Sequence, residues 1–211
     1  MSSHSSYEFP PDLFLPFVRS RRSIRRYRPE PVPETVVWEL LQAATFAPSA
    51  HNRQPWRFVV VATDELKHRL AAAMGARLRT DLQADGVPLA RIEQDAGRSY
   101  QRISTAPCLI LVCLTLEEMD SYPDPQRQHH EWTMATQSVA MAGQNLLLAA
   151  QAHGLGGCWL CAPLFCPDVV RQTLALPPEW QPQGLITLGY PAESKSKDRA
   201  PLESRVLWLK E

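Results

Sequence analysis

Apolar positions along this chain follow two patterns, one recurring every three to four residues and one continuous, and their alternation predicts the elements. Leu13, Phe14, Phe17 and Val18 recur at helical spacing behind Asp12, which is placed to cap them. After a bend punctuated by Pro29, Pro31 and Pro33, a second helix carries Val36, Val37, Leu40, Leu41 and Ala44 on one face, with Pro33 suited to its first turn. Phe58 to Ala62 is a continuous apolar run and predicts a buried strand. Thr63, Asp64 and Glu65 then supply an N-cap and an acidic first turn for a helix reaching the low 80s. Gly86 and Pro88 interrupt it, a second polar helix covers Leu89 to Ser104, and Leu109 to Leu116 reads as another buried strand. Residues 120–130, with two prolines, read as a polar loop. From Glu131 to His153 there is no proline, and at 1.5 Å per residue this central helix is on the order of 35 Å long. Gly154 is placed to stop it. A strand at Cys158 to Leu160, a turn at Pro163, a small helix opened by Pro167 and a strand from Gly184 to Tyr190 follow.

Helices and separated strands without regular alternation predict an α+β sheet domain and argue against a doubly wound fold. With 211 residues and 45% apolar content, one domain over 11–211 is expected, behind a serine-rich, disordered stretch at 1–10. The tail after Pro191 stays polar until Val206, Leu207, Trp208 and Leu209, an apolar patch that needs a surface to pack on, such as another subunit. Alanines and Gly143 in the central helix suit either close helix approach at a subunit interface or ordinary core packing. Lysine plus arginine (22) balances aspartate plus glutamate (22), so no global field draws the chain to nucleic acid or to an anionic membrane, and any anion site must be local. The longest apolar run is too short to span a bilayer, and five cysteines, an odd number, suggest reduced thiols. A soluble, cytoplasmic protein is expected.

The candidate chemistry lies in two segments. Arg21, Arg22, Ser23, Ile24, Arg25, Arg26, Tyr27 and Arg28 form an arginine cluster that fits a solvated surface, a nucleic-acid patch or a phosphate site, since guanidinium forks pair with phosphate oxygens. Between the second helix and the first strand lies Ala47-Pro48-Ser49-Ala50-His51-Asn52-Arg53-Gln54-Pro55-Trp56-Arg57-Phe58, denser in functional groups than a connection requires. Its polar residues fit caps and turns; Asn52 and Gln54 also each present a donor and an acceptor, which suits a heterocycle edge such as that of a flavin. Ser49 and His51 lack the strand-to-helix elbow and oxyanion glycines of a serine nucleophile. Cys158 and Cys161 have C-x-x-C spacing but no second pair, and His129 and His130 have no partner at metal-ligand spacing. Gly154-Leu155-Gly156-Gly157 follows a helix and precedes a strand, the reverse of a dinucleotide loop.

Arg21-Arg22-Ser23-Ile24-Arg25, the loop Ala47 to Phe58, Gln144-Asn145-Leu146 before Gly154, and Leu188-Gly189-Tyr190-Pro191 together resemble the FMN-dependent nitroreductase family, in order and over nearly the whole chain. The sequence from Phe165 through Val169, Leu176-Pro177 and Gly184 to Pro191 is particularly similar to the flavin domain at the C-terminal end of the coenzyme F420 glutamyl-ligase protein and to its single-domain relatives. The resemblance implies a mixed sheet flanked by helices, a long central helix and a domain-swapped homodimer with FMN between subunits. It implies FMN phosphate and ribityl contacts from Arg21, Arg22, Ser23 and Arg25, a ring lined from the other subunit by Pro48, Ser49 and Ala50, and Asn52 and Gln54 beside it. Pro163 and Leu164 match a position where relatives offer a backbone N–H to flavin N5, and Lys197 and Arg199 match a basic pair at the phosphate. The implied activity is hydride transfer from NADH or NADPH to an electron-poor acceptor (a nitroaromatic, quinone or enone). Reduction of an F420-type or other specialised substrate, and flavin storage without turnover, are the alternatives.

Overall fold

A computed structural model describes residues 10–209. The expected disorder of 1–10 therefore falls, except for Pro10, outside the described residues. Six helices and four strands follow in the order α1 (Pro11–Ser20), α2 (Glu34–Thr45), β1 (Trp56–Val61), α3 (Asp64–Ala84), α4 (Leu89–Ser104), β2 (Cys108–Leu114), α5 (Pro125–Ala152), β3 (Gly156–Leu160), α6 (Pro167–Leu174) and β4 (Gln181–Gly189).

The sheet order is β1-β2-β4-β3, and every strand pair is antiparallel. The parallel component of the expected mixed sheet is confined, among the described residues, to an isolated bridge between Ser23 and Gly157. Strand β2 is buried along its whole length, and its alternating side chains build two cores. Ile110, Val112 and Leu114 pack with Val37 and Leu40 of α2 and Val139, Ala142 and Leu146 of α5. Leu109, Leu111 and Cys113 pack on the opposite face with Leu70 and Met74 of α3 and Val170 of α6. The result is a sheet sandwiched between α2 with α5 and α3 with α6, an α+β architecture.

Local chemistry explains where boundaries differ from expectation. Helix α5 begins at Pro125, not Glu131, because the Asp124 side chain accepts from the N–H groups of Gln126 and Arg127 and Pro125 fits the first turn. His129 and His130 therefore lie on a helix, and α5 reaches about 42 Å at 1.5 Å per residue. Strand β4 begins three residues early, at Gln181: a bulge opposite Val112 and Cys113 accommodates Pro182, which otherwise argues against a strand. Asp12 does not cap α1, which starts at Pro11 behind Pro10. Thr63 caps α3 as expected, accepting from Leu66 N. Gly154, at φ +72°, ends α5 in a left-handed turn in which Leu155 N–H reaches Ala150 O at 2.8 Å. Gly143 serves its own chain's core: a Cβ there would sit 2.3 Å from the Trp159 ring.

Candidate functional site

The arginine segment is stitched across the edge of the sheet. Ile24 N–H donates to Gly157 O (3.1 Å), Arg28 N–H to Tyr190 O (2.8 Å) and Ala192 N–H to Arg26 O (3.0 Å). Tyr27 is tucked inward, its hydroxyl 2.9 Å from Thr187 O and 2.7 Å from Thr187 Oγ1, and burial pushes its phenol well above the ordinary value. The backbone of the segment is thereby fixed.

Those groups are crowded with like charge. Burial lowers the pKa of Arg21, and the positive charges of Arg199 and Arg22 lower it further. Arg22 donates to Arg21 O and Arg19 O, but its Nε is buried without a hydrogen-bond partner. It is the one buried side-chain nitrogen or oxygen left so among the described residues. Such an orphaned charged donor is costly unless a ligand satisfies it. A cleft of about 310 Å³ opens here, lined by Arg21, Arg22, Gln151, Gly156, Gly157 and Lys195.

A second cleft, of about 380 Å³, shares Lys195 and Glu193 with the first and adds Arg25, Arg26, Arg98 and Arg102. Burial pushes the Glu193 carboxyl up, but Arg25 N–H at 2.8 Å and the Lys195 ammonium at 3.1 Å outweigh this and hold it below the ordinary range. Glu193 is thus a fixed anion that positions Arg25 and Lys195. Arg98 and Arg102 were missed in the sequence. Their four-residue spacing on one helical face is visible there, but only the packing of α4 beside the 25–27 segment gives it meaning.

The loop Ala47 to Phe58 is held in an unusual shape. Ser49 Oγ accepts from Gln54 N–H at 3.1 Å, and a 3₁₀ turn over Ala50–Asn52 brings Arg53 N–H to Ala50 O at 2.9 Å. His51 (φ 50°), Asn52 (φ 54°) and Gln54 (φ 51°) all lie in the left-handed region, where non-glycine residues are strained. Such strain concentrates where surrounding structure enforces a functional shape. Here Ala50 N–H donates to Ser138 Oγ of α5 at 3.3 Å, while Arg53 and Arg57 form ion pairs with Asp120 and Glu118. Pro48, Ser49, Ala50, Asn52 and Gln54 are therefore presented together on a rigid platform.

Arg21 and Arg22 line the first cleft, with Arg199 near Arg21, whereas Ser23 bridges to Gly157 and Arg25 lines the second cleft; in the tail the Arg199 guanidinium donates to Lys197 O at 3.4 Å. The arginine end meets α5 at Gln151, and the loop meets it at Ser138, so the two groups lie about 20 Å apart along the helix. One chain does not unite them. Pro163 and Leu164 lie in a 3₁₀ turn over Ala162–Phe165, directly after β3. Pro163 has no N–H to offer a flavin, and Leu164 N–H donates to Cys161 O at 3.0 Å. These two residues can act as wall rather than donor.

A sheet covered on both faces, with an arginine-rich segment bridged to its β3 edge and a loop that holds three non-glycine residues in the left-handed region, is the setting, and the chain belongs to the nitroreductase family, whose family model matches residues 18–190. Among relatives, an NADH dehydrogenase of Thermus thermophilus is 32% identical, covering 89% of this chain and 92% of its own length. The Bacillus subtilis protein YfhC, provisionally described as an NAD(P)H nitroreductase, is 30% identical, covering 89% of this chain and 90% of its own. A crystal structure from Desulfovibrio desulfuricans, provisionally described as a nitroreductase in complex with FMN, superposes with a TM-score of 0.73 at 29% identity and covers 97% and 99% of the two chains.

Proposed function

We propose that the protein is an FMN-dependent NAD(P)H oxidoreductase that acts as a homodimer. The buried, unpartnered Nε of Arg22 within a crowd of cations carries the reading, because it calls for a polyanion such as the FMN phosphate. Arg21, Arg22 and Ser23 would hold that phosphate, with Lys197 and Arg199 closing over it from the tail. Arg25, whose backbone N–H is held by Glu193, would join them at the phosphate and ribityl chain. Pro163 and Leu164 would form part of the wall beside the ring. When bound, FMN supplies two-electron chemistry through its N5 atom. The net reaction with a nitroaromatic acceptor is ArNO₂ + NAD(P)H + H⁺ → ArNO + NAD(P)⁺ + H₂O; quinones and enones are the other acceptor classes. Titration with NADH and with NADPH will identify which of the two serves.

A second subunit is part of this reading because the arginine segment and the loop of one chain meet α5 at separate places, Gln151 and Ser138, about 20 Å apart. In a dimer, Pro48, Ser49, Ala50, Asn52 and Gln54 of one copy would complete the flavin site of the other. Leu207, Trp208 and Leu209 are largely exposed, and a groove of about 890 Å³ lined by Val37, Trp38, Leu41, Phe58 and Val60 lies beside the free edge of β1. A second copy would cover both. No helix among the described residues is long and apolar enough to cross a membrane, and their five cysteines are free, which supports a cytoplasmic setting.

Purified protein titrated with FMN should show a saturable flavin spectrum, and anaerobic NAD(P)H should bleach it. Arg22→Gln should weaken FMN binding at least tenfold, in line with loss of a charge-assisted hydrogen bond. Absence of flavin binding in the parent chain would overturn the reading.

A further inference from the structure

We infer that the cleft beside α4 is a second anion site, separate from the flavin phosphate site proposed above, and that its ligand is a diphosphate, free or carried by a nucleotide. The inference does not depend on the oxidoreductase reading. Arg25, Arg26, Arg98, Arg102 and Lys195 line this cleft from three separate parts of the chain, against the single carboxylate of Glu193. In a chain whose charges balance overall, that concentration makes a local positive field that selects anions.

The two clefts are built from different elements. The first is walled by α5 and β3 through Leu147, Gln151, Gly156 and Gly157, the second by α4 and its cap through Arg98, Gln101, Arg102 and Thr105. Only Glu193 and Lys195 line both. The flavin reading claims Arg25 and leaves Arg26, Arg98 and Arg102 without a task. Internal pairing does not use these three up either. No ion pair among the described residues engages Arg26 or Arg102, although both line the cleft. Asp95 pairs with Arg98, but the same carboxylate is shared with Arg91. The C-terminal end of α4 contributes only about half a negative charge, too little to offset its two arginines.

The donors narrow the ligand class. Arg98, Gln101 and Arg102 share one helical face, as residues three and four apart do, and present two guanidinium forks and an amide. Such forks pair with phosphate oxygens. Arg26 adds a third fork from a different segment, so the forks are spread over two walls and exceed what one monovalent anion can engage. A diphosphate offers two linked groups of oxygens and enough charge to meet both walls. At about 380 Å³ the cleft is large enough for a small organic ligand bearing such a group.

The test reads binding, with no turnover involved. Sodium pyrophosphate is titrated calorimetrically, without magnesium and at low salt, into protein saturated with FMN, so that the first cleft is filled. One site per chain with a Kd of about 1 mM or tighter is expected, weakening as NaCl is added. Arg26→Gln and Arg102→Gln should each weaken it about fivefold or more while leaving FMN affinity unchanged, and Arg127→Gln, outside both clefts, should bind as the parent does. ADP in place of pyrophosphate separates the sources: tighter binding of ADP assigns a nucleotide, and equal or weaker binding assigns the free diphosphate. No uptake by the flavin-saturated parent at about 10 mM pyrophosphate overturns the inference, as does unchanged binding in Arg26→Gln and Arg102→Gln. Displacement of bound FMN by pyrophosphate would show one site in place of two and overturn it as well. If the parent binds no FMN, the oxidoreductase reading falls, and the same titration into Arg22→Gln protein, its first cleft disabled, decides the second site on its own.

Discussion

Trp159 lies in a slot that two glycines keep open, because a Cβ at Gly143 would come within 2.3 Å of its ring and one at Gly184 within 2.2 Å. The indole thereby joins α5 to β4. Gly184→Ala should destabilise the fold by about 1–3 kcal/mol, the usual cost of overpacking, measured as a lower urea midpoint. The cysteines make a second residue-scale case. Burial pushes the thiols of Cys108 and Cys166 up to about 11 and that of Cys113 up to about 12, whereas Cys161 is exposed. Iodoacetamide near neutral pH should therefore modify Cys161 and spare those three, as read by peptide mass spectrometry. The sign for stability follows from the raised values. The folded state favours the neutral thiol, so this contribution is full below the ordinary 9.0 and is lost as pH rises toward 11 and 12. Melting temperature should fall across that alkaline range, and less steeply in Cys113→Ala.

At the scale of elements, the loop between α2 and β1 is shaped by neighbours more than by its own preferences. Arg53 with Asp120 and Arg57 with Glu118 clamp it to the segment after β2, and buried Glu131 of α5 accepts from Asp120 N–H at 3.3 Å. Exposed ion pairs contribute only about 0–1 kcal/mol to global stability, so their loss should act on loop geometry more than on folding. Arg53→Asp should weaken FMN binding several-fold with little change in melting temperature, and adding Asp120→Arg should restore much of it, measured by flavin titration. The presence and chemical density of this loop were plain in the sequence, as were α2, α3 and the stop at Gly154. The left-handed run at His51, Asn52 and Gln54 was not, because nothing local compels those residues into that region. The start of α5 is legible in Asp124-Pro125, an N-cap followed by a proline in the first turn, although the two prolines of 120–130 read as a loop. Strand β4 was shortened because Pro182 is permitted only by a bulge formed with another strand.

At the scale of the molecule, what sequence could not supply is convergence. Arg98 and Arg102 sit on an otherwise ordinary polar helix, and they come beside Arg25 and Arg26 only because α4 ends next to the 25–27 segment. The single chain also leaves apolar surface uncovered. Leu13 and Leu15 of α1 and the run Leu207 to Leu209 are half or more exposed, a pattern that marks a contact surface. Deleting residues after Pro201 should shift the protein toward monomer in sedimentation velocity and weaken FMN retention with it. Helix α5 holds the two halves of the proposed site about 20 Å apart within each copy, one at Ser138 and the other at Gln151. A genetic consequence follows. An arginine-edge variant and a loop variant, each inactive alone, should complement one another when mixed and allowed to exchange subunits. Every mixed pair then carries one doubly damaged pocket and one intact pocket, and random reassortment should recover about one quarter of the parental activity.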